Sequence, residues 1–172
     1  MKRLLPLLPL ALLAACQTTP TRDEGPRTGG STSFRAEDFA WSTAEGRNIV
    51  RGQVAYRSAS KQAYTCAGGS VGLTPETAYS RQRISALYGS TSHAVVPLAT
   101  LRSRQVAAAG GDYGRYVRTT TCDAQGRFSF TGLPDGGWYV IARARPTSGS
   151  GEEMAIVRRV EARGGASREA VL

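Results

Sequence analysis

Histidine is nearly absent from this sequence: among 172 residues there is one, His93. That excludes multi-histidine metal sites and forces any Ser/His/Asp or Cys/His mechanism through a single side chain. His93 stands in the polar string Ser90-Thr91-Ser92-His93 ahead of Ala94-Val95-Val96, the setting of an exposed loop histidine. Cysteine is limited to Cys16, Cys66 and Cys122, with no C-x-x-C pair, so the three or four ligands of a zinc site are not at hand. The sequence also lacks a G-x-S-x-G elbow and a phosphate loop. Its adjacent carboxylates, Glu37-Asp38 and Glu152-Glu153, would point to opposite faces of a strand, whereas glycosidase chemistry needs two carboxyls facing each other across a bond. These absences argue for a chain that is not an enzyme and takes no cofactor and no metal. The catalytic alternative is a weak hydrolase using His93 with a hydroxyl from residues 90–114.

Long hydrophobic runs are missing too. The longest, Leu4 to Ala15, is interrupted by Pro6 and Pro9 and is shorter than the roughly 20 apolar residues of a membrane-spanning helix. Preceded by Lys2 and Arg3 and closed by small residues, it has the layout of an export signal. Leu13-Ala14-Ala15-Cys16 resembles the lipobox of bacterial lipoproteins, in which the leader, here residues 1–15, is removed and the cysteine is lipidated. The resemblance implies a membrane anchor at Cys16 and, because Gln17 rather than an aspartate follows, outer-membrane sorting facing the periplasm or the cell surface. Acyl chains on Cys16 would hold firmly, since two lipid signals suffice for stable attachment. Residues 17–33, QTTPTRDEGPRTGGSTS, have no large apolar side chain and read as a flexible tether with a coil dimension of about 20 to 25 Å.

Lysine is scarce, with only Lys2 and Lys61 beside 20 arginines, a skew we assign to genome composition rather than to a binding demand. The mature chain would carry a formal charge of +7, which favours acidic partners such as the phosphate-bearing lipids and glycans of an envelope. Nucleic acid is not expected at that address.

Residues 34–172 fit one domain, able to bury roughly two-thirds of its unfolded surface. Apolar residues recur with period two in Ile49–Tyr56, Gly68–Leu73, Tyr116–Cys122, Gly126–Phe130, Trp138–Ala144, Ala155–Glu161 and Ser167–Leu172. Short strands at such spacing predict an all-β, antiparallel, Ig-like or prealbumin-like β-sandwich. One segment departs from that period: residues 80–88 predict a short helical insertion capped by Ser80, with Ile84, Leu87 and Tyr88 on one face and Gly89 ending it. Residues 90–114 read as a long irregular excursion with one further turn of helix, and loops of that length in a compact domain are usually functional or disordered.

The stretch TTTCDAQGRFSFTGLPDGGWYVIARA, residues 119–144, sets Phe128 and Phe130 on one strand face and Trp138, Val140 and Ala142 on one face of the next, opposite Tyr139, Ile141 and Arg143. Asp123 and Asp135 sit in turn sequences and read as turn formers rather than acids or ligands. The string Asp123-Ala124-Gln125-Gly126-Arg127-Phe128-Ser129-Phe130, followed by Leu133-Pro134, Gly136 and Trp138, resembles the signature of carboxypeptidase regulatory-like domains, which are small transthyretin-like sandwiches. The resemblance implies that a hairpin joins the two strands, and that Arg51-Gly52-Gln53-Val54 and Gly69–Leu73 are earlier strands. It speaks to fold more than to function, since sites are grafted onto folds. One enzyme subclass of that fold hydrolyses a purine-derived ring with several histidines and a terminal Tyr-Arg-Gly-Ser. This chain ends Glu169-Ala170-Val171-Leu172, so that activity is not carried over.

In an oxidising compartment, Cys66 and Cys122 most simply form a disulfide, with a reactive thiol or a metal site as the other readings. Arg81, Arg83, Arg102, Arg104 and Arg115 with Tyr113 are the candidate binding residues, spread over the helical insertion, the excursion and the residue that follows it. The function expected is a non-catalytic, outer-membrane-anchored module that binds an envelope protein or glycan, with carbohydrate recognition as the alternative within binding.

Overall fold

The computed structural model describes residues 32–172. The expected leader, Cys16 and nearly all of the tether lie outside the described residues. None of the described helices is long and apolar enough to cross a membrane.

Two sheets face each other. The smaller has the order β6-β1-β9, from β1 (Asn48–Gln53), β6 (Arg127–Leu133) and β9 (Ser167–Val171). The larger runs β4-β8-β7-β3-β5, from β3 (Ser70–Pro75), β4 (His93–Pro97), β5 (Arg118–Thr121), β7 (Gly136–Pro146) and β8 (Met154–Ala162). The two-residue β2 (Tyr64–Thr65) joins the end of β7. All pairings are antiparallel except β1 with β9, which is parallel. The protein is therefore an all-β sandwich, as the period-two pattern predicts.

The core lies between the sheets and follows the alternation of the strands. Trp138, Val140, Ala142 and Ala144 of β7, with Val71 and Leu73 of β3 and Ile156 of β8, meet Val50 of β1, Phe128, Phe130 and Leu133 of β6 and Ala170 of β9. Leu133 is out of step with Phe128 and Phe130 by period two, yet it is fully buried. A bulge explains it: the ladder with β1 shifts between Asn48 and Val50, and Gly132 takes φ +66°. The extra residue returns the strand to its inward face, and only glycine adopts that backbone without strain.

The structure corrects three expectations. β6 and β7 do not pair as a hairpin; Leu133–Gly137 carries the chain from one sheet to the other. That crossing is fixed by Asn48, which is buried and fully engaged: its amide donates to Leu133 O and Asp135 Oδ1, both at 2.9 Å, and its oxygen accepts from Gly165 and Ala166 N–H. Asp135 is thus a turn former, and so is Asp123, whose Oδ1 accepts from Gln125 and Arg127 N–H. Second, His93 is not in a loop but opens β4, opposite Arg158 of β8, so the excursion contains an edge strand. Third, the helix α1 spans Ala78–Tyr88 and is capped by Thr77, not Ser80: Thr77 Oγ1 accepts from Ser80 N–H and Ser80 Oγ from Thr77 N–H. Ser80 Oγ also donates to Pro75 O at 2.7 Å. The outer face of β7 is covered as well. α1 lies across it, so that Ile84, Tyr139 and Val157 form a second buried cluster flanked by Tyr88, Ala94 and Ile141.

At the border of that layer Glu76 binds three groups. Arg159 Nε donates to its Oε2 at 2.7 Å, Arg81 Nη2 to its Oε1 at 3.0 Å and Tyr139 Oη to Oε1 at 3.2 Å. Burial pushes the Glu76 carboxyl up, but the bonds from Arg159 and Arg81 outweigh it and hold it below its ordinary 4.5. A depressed folded-state pKa contributes stability at neutral pH that is lost as pH falls through it. Glu76→Gln is expected to destabilise by about 1–2 kcal/mol at pH 7, moderated because both arginines keep contact with water. The gap between parent and variant in urea melts should close as pH drops below 4.5. A gap that persists undiminished would contradict the assignment.

Candidate functional site

The excursion after α1 folds back along that helix. β4 is followed by α2 (Leu98–Ser103), then by residues 105–110 without regular structure, then by a short 3-10 helix, Tyr113–Tyr116, that leads into β5. The segment Gln105-Val106-Ala107-Ala108-Ala109-Gly110-Gly111 has few side chains with which to fix itself. α1 supplies the bonds instead: Arg83 Nη1 donates to Ala107 O at 2.6 Å, and Tyr79 Oη accepts from Gly110 N–H at 2.8 Å. In return Arg104 Nη1 donates to Leu87 O in the last turn of α1, where a cation also complements the helix dipole.

The chain entering the domain closes the third side. Phe34 places its ring 5.5 Å from Phe39, 5.6 Å from Tyr79, 6.2 Å from Tyr116 and 6.4 Å from Tyr113. Gly111 has φ +47° and a Cβ there would lie 2.9 Å from the Phe34 ring, so the approach requires glycine. Between Phe34, α1 and residues 105–110 lies a cleft of about 430 Å³, lined by Thr32, Phe34, Tyr79, Gln82, Arg83 and Gln105 among others. A smaller one of about 270 Å³ lies on the other side of Arg83, walled by Thr74, Tyr88, Tyr113, Val117 and Ile141. The Arg83 guanidinium separates them, 5.9 Å from the centre of each of the Tyr79 and Tyr113 rings. Burial pushes the Tyr88 phenol up to about 12, and burial also raises that of Tyr113, so both are neutral hydrogen-bonding groups at physiological pH.

The six candidate residues are not brought to one face. Arg83 and Tyr113 belong to the clefts. Arg81 is held by Glu76 beside the helix, Arg104 is spent on Leu87, and Arg115 pairs with Asp112 at 3.3 Å on the surface. Arg102 is exposed in the last turn of α2 and has no side-chain partner among the described residues. Phe34, Gln82 and Gln105 complete the larger cleft although they were not among the candidates; the signal was the Phe34, Phe39, Trp41 series at the end of a tether otherwise free of large apolar residues. His93 has neither a carboxylate nor a hydroxyl bound to its ring among the described residues; only its backbone N–H bonds the Ser90 hydroxyl. The described residues contain no group of three or more His, Cys, Asp or Glu able to hold a metal ion. Cys66 and Cys122 form a buried disulfide with Cα atoms 5.8 Å apart.

The sandwich has a counterpart among solved structures. A Pseudomonas aeruginosa chain whose crystal structure is described as that of a "putative carbohydrate binding protein" matches with a TM-score of 0.62 at 23% identity, over 81% of this chain and 96% of that one. The fold is shared. No protein-family model and no curated protein matches the chain.

Proposed function

We propose that this chain is a non-catalytic carbohydrate-binding module of the bacterial envelope, anchored at the outer membrane through a lipidated Cys16, and that its sandwich is a carboxypeptidase regulatory-like domain. The observation that carries the binding reading is the 430 Å³ cleft, whose lining brings the half-buried Phe34 together with Gln82, Gln105 and Arg83. Sugars need that combination: an apolar ring face for their C–H groups, and amide and guanidinium groups that donate and accept around their hydroxyls. The description of the Pseudomonas aeruginosa protein supports the same class of ligand. The isolated His93, away from the cleft on the edge strand β4, supports a role without catalysis.

The test is a screen of the purified chain on an array of neutral and acidic oligosaccharides, followed by titration of the best binder. Gln82→Ala and Gln105→Ala should each weaken binding about fivefold, the order of one neutral hydrogen bond, with an unchanged melting temperature. Arg102→Glu, outside the cleft, should leave it intact. Binding to no glycan, or full binding by the double glutamine variant, would refute the site. In cells, Cys16→Ser should move the protein from the membrane to the soluble fraction; equal membrane retention would refute the anchor.

A further inference from the structure

We infer that the ligand of the cleft is an acidic sugar, one that carries a carboxylate or a phosphate, and that Arg83 is the residue that selects it. The inference rests on the carbohydrate reading and sharpens it. Arg83 lines both clefts and is the single charged side chain in either lining among the described residues. Among the described residues no carboxylate pairs with it. Of its five N–H donors one is accounted for by Ala107 O, and the Tyr79 and Tyr113 rings, each centred 5.9 Å from it, flank the group without neutralising it.

The nearby charges are committed elsewhere: Arg81 to Glu76, Arg104 to Leu87 O, and Asp112 to Arg115. A partly buried guanidinium without a counter-ion, between aromatic walls that lower the local dielectric, favours an anion over a neutral guest. The chain's field acts in the same direction, because residues 32–172 carry 18 basic and 11 acidic side chains. A neutral hexose could use Gln82 and Gln105 equally well but would leave the Arg83 charge unanswered.

Titration of the purified chain with a galacturonic acid trisaccharide, the matching neutral galactose trisaccharide and glucose 6-phosphate tests this. The uronate should bind about tenfold or more tightly than its neutral counterpart, the order of one charge-assisted hydrogen bond. Added salt should erode that advantage. Arg83→Gln should bring the acidic ligand down to the neutral level, while Arg83→Lys should keep part of the preference. Selective binding of glucose 6-phosphate in place of the uronate would support the same anion chemistry and name phosphate as its source. Equal binding of acidic and neutral trisaccharides, unaffected by Arg83→Gln, would overturn the inference and leave the carbohydrate reading standing. Binding of none of these sugars together with an empty array would overturn both. Should Arg83→Gln fail to fold, the salt dependence of the parent decides: an acidic preference insensitive to salt counts against Arg83.

Discussion

Trp138→Ala is expected to destabilise the domain by about 3–5 kcal/mol, the range of buried aromatic truncations. Trp138 is fully buried, its ring meets Trp41 edge-on at 5.1 Å, and the Arg118 guanidinium lies 5.6 Å from its centre. Arg118 also bridges the sheets, donating to Ser42 O at 2.8 Å and to Gly132 O at 3.3 Å, so a void at Trp138 would loosen the contact that seals this end of the sandwich. Sequence alternation puts Tyr139 on the opposite, outer face, where truncation would cost less if water reached it. The helix α1 changes that expectation, because Tyr139 too is fully buried and its hydroxyl meets Glu76. Tyr139→Ala should therefore cost about 3 kcal/mol, and Tyr139→Phe only about 1 kcal/mol for the lost hydrogen bond. Urea denaturation of the three variants reads the order directly. Small, equal losses for both alanine variants would mean that β7 is not the shared wall of the two buried layers.

That comparison marks the limit of what the sequence makes legible. Alternation in β7 and β8 names the inward residues because period two is a local property of the backbone. The location of the second layer is not local. α1 buries only Tyr79, Ser80 and Ile84, too few apolar residues to announce a packed face, and what it covers is 50 to 80 positions further along. The hairpin between β6 and β7 failed for a similar reason: the Leu133–Gly137 sequence specifies a turn, but the choice between pairing and crossing depends on Asn48 and the bulge at Gly132. Of the candidate binding arginines, sequence gave each one a charge but not a counter-ion. Glu76 claims Arg81, a helix-terminal carbonyl claims Arg104, and folding sets Arg83 in the cleft lining with no carboxylate partner among the described residues. The cleft joins Phe34, Tyr79 and Gln105 from three separate segments, so no local motif could have announced it.

Removing the disulfide should be the other large perturbation. The Cys66–Cys122 bond links positions 56 apart in sequence, and the loop it closes contains β3, α1, β4, α2, β5 and the lining of the candidate cleft apart from Thr32 and Phe34. In the chain-entropy description such a crosslink contributes roughly 4 kcal/mol by restricting the unfolded chain. The native side depends on it less: Cys122 N–H bonds Gly69 O, Gly68 N–H bonds Cys122 O, and the β3 to β5 ladder starts next to it at Ser70 and Thr121. The reduced protein should therefore keep its fold at low temperature, bind the same sugar, and unfold at markedly lower urea or temperature. Cys66→Ala/Cys122→Ala should behave in the same way. Labelling of thiols in denatured, unreduced protein should find neither residue free; two labelled cysteines in protein taken from an oxidising compartment would refute the bond. A melting curve unchanged by reduction would mean that the closed loop is already ordered in the unfolded chain, whereas loss of sugar binding in the still-folded reduced protein would make the crosslink part of the cleft's geometry rather than only a restraint on unfolding.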